Sequence, residues 1–273
     1  MKLDKVYLVI AGSFGAGKTE GVRDMYSFLD SRHQHYDPAI SDATYILEAL
    51  GEDHKKNRGI NHMHEGQRFP QPHDHRPGEK DLQFAVTGNF VPHYMYNNFF
   101  RRLSREVPSD RFQIVEWSGG RNIHPPDHPA VNADYSFRTQ VQDLWSGSYE
   151  RGWLSHVALM IHPVTDFDQR LVFNQRRSDR DPTPDEIARG TRSWGIPLDG
   201  MKLTGNDDFL EVVPDLERMG LAGRIHPISN NGDGTYTAEL SRILTEVIDP
   251  MINFEGQINK DGSGSSTTQR GMR

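Results

Sequence analysis

The sequence predicts a three-layer α/β/α fold, a mainly parallel sheet of about five strands with helices on both faces. Three observations predict it. The first apolar run, Val6 to Ala11, shows no two-residue alternation, as expected of a strand covered on both faces. A glycine-rich turn follows, and then Val22, Met25, Tyr26 and Leu29 recur at helical spacing. The same strand–helix rhythm returns along the chain, as βαβ units require.

In order, the pattern predicts a helix over about Gly17 to Leu29 and a second strand over Tyr36 to Ser41. Asp42 begins a helix carrying Tyr45, Ile46, Leu47 and Leu50. Residues 52–80 break the rhythm: rich in His, Pro, Gly, Lys and Asp, they read as an inserted loop. Leu82 to Thr87 is a strand, and an aromatic helix runs over about Pro92 to Glu106. Phe112 to Trp117 and Val157 to Ile161 are further strands, the latter followed by a polar, arginine-rich helix over about Phe167 to Arg180. Residues 181–209 form a loop-like segment with an embedded short helix, in which Trp194 to Phe209 has no assigned place. Arg224 to Ile228 is the last strand and Thr237 to Val247 the closing helix. One domain over 1–254 results, with 255–273 a disordered tail whose composition cannot pack.

Bulk properties exclude several classes. A chain of 273 residues can bury one sizeable core. The net charge of −7 argues against a surface devoted to nucleic acid or anionic lipid, so a basic cluster must be local. Without cysteine there are no disulfides, thiolate nucleophiles or Cys-based metal sites. The opening apolar run is too short for a signal peptide and no stretch approaches transmembrane length, so the expectation is a soluble, cytoplasmic protein, with a homodimer allowed.

The sharpest signal is the octapeptide Gly12-Ser13-Phe14-Gly15-Ala16-Gly17-Lys18-Thr19, a full match to G-x-x-x-x-G-K-[ST] between a buried strand and a helix. Glycines let the backbone curl so that successive N–H groups face phosphate oxygens, and the helix that follows adds its positive end. Lys18 is positioned to neutralise the β and γ phosphates and the Thr19 hydroxyl to coordinate Mg²⁺. The guanine-reading N-K-x-D is missing, and the one D-x-x-G match, Asp261 to Gly264, lies in the tail.

Two further stretches accompany this loop. Glu116 ends a strand and is followed by Trp-Ser-Gly-Gly-Arg121, while Arg170, Arg176, Arg177 and Arg180 crowd one predicted helix and its exit. With these residues the chain resembles a P-loop kinase of the nucleoside and nucleotide kinase superfamily, from about residue 4 to residue 250. The resemblance implies a kinase-type P-loop NTPase fold, ATP and Mg²⁺ as cofactors, and transfer of a phosphoryl group to a small-molecule acceptor. It implies that Glu116 serves Mg²⁺ through oxygen or water, and that Arg121, Arg176, Arg177 and Arg180 clamp the transferring group, the last three in a closing lid. Arg170 falls in the same lid. Asp42, directly after the second strand, is then the acceptor's general base, and Asn230, after the last strand, an adenine contact.

The residues keep their plainer readings beside these. Asp42 can cap the next helix, Glu116 can be ordinary strand-end polarity, and Asn230-Asn-Gly-Asp-Gly needs no ligand to form a turn. The arginines can be a solvated face paired with Asp166, Asp168, Asp179 and Asp181. Tyr94, Tyr96, Phe99 and Phe100 either stack on a substrate or fill the core, and His62, His64, His73 and His75 either hold a metal or border the acceptor site. A nucleoside or nucleotide is the favoured acceptor. The alternatives are an NTP-hydrolysing switch, a non-catalytic nucleotide-binding module and a kinase of a nucleotide-sugar like the zeta-type toxins.

Overall fold

The computed structural model describes residues 5–42, 61–65, 82–86, 90–105, 112–128, 130–179 and 198–261. Its strands are β1 (Val6–Gly12), β2 (Tyr36–Ser41), β3 (Asn61–Glu65), β4 (Leu82–Val86), β5 (Phe112–Ser118), β6 (Val157–Val164) and β7 (Ile225–Ser229). Its helices are α1 (Lys18–Ser31), α2 (Phe90–Arg105), α3 (Phe137–Ser146), α4 (Phe167–Asp179), α5 (Leu198–Lys202), α6 (Phe209–Leu216) and α7 (Thr235–Asp261). Five strands form one all-parallel sheet in the order β2-β5-β1-β6-β7. This is the α/β architecture with a parallel sheet of five strands that the sequence predicts.

The central strand shows why its apolar run does not alternate. Leu8 and Ile10 pack on one face with Val22, Met25 and Leu29 of α1 and with Leu240, Ile243 and Leu244 of α7. Tyr7, Val9 and Ala11 point to the other face, among Phe99, Phe100, Trp117, Phe137 and Trp153. Both faces of β1 are dry, each large side chain contributing about 1.5–3 kcal/mol of burial. The aromatic residues Tyr96, Phe99 and Phe100 are fully buried, which settles them as core.

Three elements depart from expectation. Within 52–80, read as a loop, β3 pairs antiparallel with β4 in a separate two-stranded sheet, so the strand from Leu82 is not part of the main sheet. α3 and α6, which the sequence reading does not assign, cover the face opposite α1 and are joined at Asp208, whose carboxylate accepts from the N–H groups of Phe137 (3.0 Å) and Arg138 (3.1 Å) at the start of α3. α7 runs to Asp261, beyond Glu255 where the predicted tail begins; its buried Tyr236, Leu240, Leu244 and Ile248 explain its anchorage. The predicted helix after Asp42, the remainder of the tail, and His73 and His75 lie outside the described residues. Among the described residues no helix is long and apolar enough to cross a membrane.

Candidate functional site

Parallel strands bring their C-terminal ends to one edge of the sheet, where Gly12 to Thr19, Asp42, Glu116 and Asn230 stand. β1 ends at Gly12 and the chain curls through Ser13–Gly17 into α1. The curl depends on glycine: Gly15 and Gly17 have φ of 79° and 94°. Asn230, just after β7, closes the loop from the side. Its Nδ2 donates to the Ala16 carbonyl at 2.9 Å and lies 2.4 Å from where a Cβ on Gly17 would stand.

Lys18 is buried, and its ammonium donates to the carbonyls of Gly12 and Ser13, both at 3.0 Å. The Thr19 hydroxyl donates to Glu116 Oε1 at 3.4 Å. Glu116 stands opposite Ile10 in the β1–β5 register, so the sheet itself aims it at the first turn of α1. A hydroxyl and a carboxylate side by side at the helix entrance are hard oxygen donors, the set that Mg²⁺ takes when it also binds phosphates. The loop therefore fits a nucleotide phosphate chain, and Thr19 with Glu116 fits the metal.

Asp42 extends β2 by one residue, its N–H donating to the Glu116 carbonyl at 3.1 Å. Its carboxylate is fully buried and accepts from the Ser118 N–H at 2.5 Å and the Ser118 hydroxyl at 3.0 Å. Burial pushes its pKa up to about 6, against the opposing pull of Lys18 and of the Ser118 hydrogen bonds. A carboxylate poised near neutrality beside a phosphate-loop lysine can take a proton there.

The arginines divide. Arg176 on α4 is exposed and lines a cleft of about 380 Å³ with Gly17, Phe173, Asn230, Gly232 and Tyr236, within the ~300–1,000 Å³ of small-molecule sites. Arg170 is not a lid residue: it is buried, and its guanidinium donates to the carbonyls of Phe14, Thr204 and Gly205. Arg121 pairs with Glu211 and with Asp208 at 3.8 Å, and its backbone bonds reciprocally with Asn206. The Arg177 side chain and all of Arg180 lie outside the described residues. His62 and His64 fall on β3.

Two residues have no sequence signal. His162, buried on β6, donates from Nδ1 to the Ala11 carbonyl at 2.8 Å, with Nε2 3.7 Å from Asp207; burial holds its pKa below the ordinary value. Thr204 accepts from the Phe14 N–H at 2.9 Å. A lone histidine in an apolar strand and a threonine 190 positions from its partner leave no local pattern to read.

No protein-family model matches the chain, and no curated protein matches it at a significant level. Among solved structures, it is similar to shikimate kinase from Acinetobacter baumannii in complex with shikimate, at 12% identity and a TM-score of 0.40 over 90% of this chain and 94% of that one. It is also similar to the protein TT1252 from Thermus thermophilus, at 12% identity and a TM-score of 0.37 over 90% of this chain and 99% of that one.

Proposed function

We propose that the chain is a phosphotransferase that moves the γ-phosphoryl group of ATP to a hydroxyl of a small-molecule acceptor, a nucleoside or nucleotide by preference. The observation that carries this reading is the convergence, at the ends of β1, β5 and β2, of Lys18, the Thr19–Glu116 pair and the buried Asp42. In a kinase the buried carboxylate beside the loop lysine receives the acceptor's proton.

In this reading the loop N–H groups and Lys18 bind the β and γ phosphates, and the cleft beside Asn230 and Arg176 receives the nucleoside. Bound Mg²⁺ supplies charge neutralisation across the phosphate oxygens. Asp42 takes the proton from the acceptor hydroxyl as its oxygen bonds to the γ phosphorus; the bond from that phosphorus to the bridging oxygen breaks and ADP leaves. Ser118 holds Asp42 in place through its two hydrogen bonds. Arg176, which lines the cleft, contacts the nucleotide in this reading.

The test is incubation with Mg-ATP and a pool of nucleosides, nucleotides and sugars, with ADP and phosphorylated products read by mass spectrometry. ADP formed only with an acceptor is the expected result. Equal ADP release without any acceptor would replace the kinase reading with an NTPase.

A further inference from the structure

The rim of the phosphate loop is gripped from outside by groups distant in sequence. The N–H of Phe14 donates to Thr204 Oγ1 at 2.9 Å, while the Phe14 carbonyl accepts from Arg170 Nη1 at 3.3 Å. The same guanidinium donates to the carbonyls of Thr204 at 2.8 Å and Gly205 at 2.6 Å. Arg170 is 1% exposed and Thr204 0%, so these bonds are made away from water, where each is hard to break.

The fit around them is tight. A Cβ on Gly15 would lie 2.7 Å from Met201 Cε and 3.1 Å from the Arg170 carbonyl oxygen. One on Gly120 would lie 2.9 Å from both Ser13 Oγ and Thr204 Cβ. The segment from Met201 to Asn206 is thus seated between the loop rim and the exit of β5, where Asn206 and Arg121 exchange backbone hydrogen bonds. This is the segment for which sequence patterning finds no place.

A residue held at both its N–H and its C=O cannot turn its flanking peptides. In a phosphate loop the direction of those peptides decides whether the neighbouring N–H groups face the ligand. A glycine-rich loop left free has to be ordered by the ligand, at a cost in affinity, whereas one ordered beforehand does not. Arginine suits the position because its planar fork reaches three carbonyls at once, which a lysine ammonium on a flexible stem does not reproduce.

We propose that Thr204 and Arg170 are positioning residues that pre-set the Phe14 region of the loop, so that the phosphate cradle is formed before the nucleotide arrives. The proposal rests on the nucleotide-binding reading above. It predicts a defect in triphosphate affinity, separable from folding.

The test is calorimetric titration of Mg-ATP into wild type, Thr204→Val and Thr204→Ser, alongside thermal melts of the ligand-free proteins. Thr204→Val keeps the shape but not the acceptor, and should bind Mg-ATP about tenfold more weakly, the loss expected for one buried hydrogen bond. Thr204→Ser restores the hydroxyl and should return to within about twofold of wild type. Arg170→Lys, which retains the charge but not the fork, serves as the second variant if Thr204→Val does not fold, and should also lose about tenfold. Unchanged Mg-ATP affinity in the valine variant, or in Arg170→Lys where that stands in for it, overturns the proposal, as does weakening that serine fails to rescue. A lowered melting temperature with normal affinity reduces both residues to structural braces and overturns it equally. Wild type that binds no Mg-ATP at all removes the nucleotide reading itself, a failure distinct from that of the clamp.

Discussion

The two sides of the phosphate loop are built from different materials. On the side of β2 and β5 stand ionisable groups close together: Lys18, the Glu116 carboxylate against Thr19, and Asp42 buried with its pKa raised. On the side of Met201 to Asn206 the contacts are a threonine hydroxyl, backbone carbonyls and one arginine whose two Nη groups donate to them. The first arrangement is costly to fold, since a buried carboxylate forgoes hydration, and such costs persist where chemistry needs them. The second is made of buried hydrogen bonds between side chains and the backbone. One side gathers ionisable groups and the other hydrogen bonds to the backbone. A single helix, α4, shows the same division: Arg170 belongs to the scaffold and Arg176, six residues on, to the open cleft.

The largest expected effect falls on the reactive side. Lys18→Ala should lower nucleotide turnover by about 10²–10³-fold or more, through loss of a preorganised charge on the phosphates; steady-state ADP release measures it, and retained turnover would overturn the loop assignment. Asp42→Asn should lower phosphoryl transfer by about 10²–10⁴-fold while leaving Mg-ATP affinity within about twofold. Unchanged transfer would return Asp42 to a structural role. In the wild type, kcat/KM should rise with pH through about 6, because Asp42 accepts a proton only when ionised.

Asp42 also predicts a stability effect of opposite sign. Its folded pKa of about 6 exceeds the ordinary 3.8, so the folded protein binds more protons across that window. Its ionisation therefore removes stability as pH rises from about 4 to 6. Asp42→Asn should escape this penalty and be more stable than wild type at pH 7.5, by roughly 1–3 kcal/mol, with the gap closing near pH 4. Denaturant titrations at the two pH values decide it, and a variant less stable at pH 7.5 contradicts the assignment.

Smaller effects test the margins. Glu116→Gln should raise the Mg²⁺ concentration for half-maximal activity about tenfold, as removal of a charged metal-side oxygen does, read by metal titration at fixed ATP. Arg176→Ala should raise the KM for ATP by about three- to tenfold, a partly exposed contact worth about 1 kcal/mol, with the melting temperature unmoved. A melting temperature that collapses would put Arg176 in the scaffold with Arg170 and erase the division within α4.

Legibility in the sequence followed the distance over which each feature is encoded. The loop motif, the strand β2 over Tyr36–Ser41 and the acidic end of β5 are each written in a few consecutive residues. α3, which the sequence reading does not assign, carries local signals too: Ser136 caps it, Phe137, Val141 and Leu144 share a face, and Gly147 stops it. Of the arginines that crowd α4, Arg170 cannot be told from its neighbours in the sequence, while helical geometry turns it toward the loop and Arg176 toward the cleft.

The sequence alone determined the glycine-rich loop motif, the buried central strand and the α/β class, because glycine conformations, the motif's residue pattern and apolar periodicity are local properties of the chain. Only the tertiary structure decided what surrounds that loop. The order of the strands placed Glu116 and Asp42 beside Lys18, and the return of the chain at Met201–Asn206 placed Thr204 and Arg170 on the rim. The contacts that hold the rim join residues 156 and 190 positions apart, and no local pattern records which distant segments will meet once the sheet has assembled.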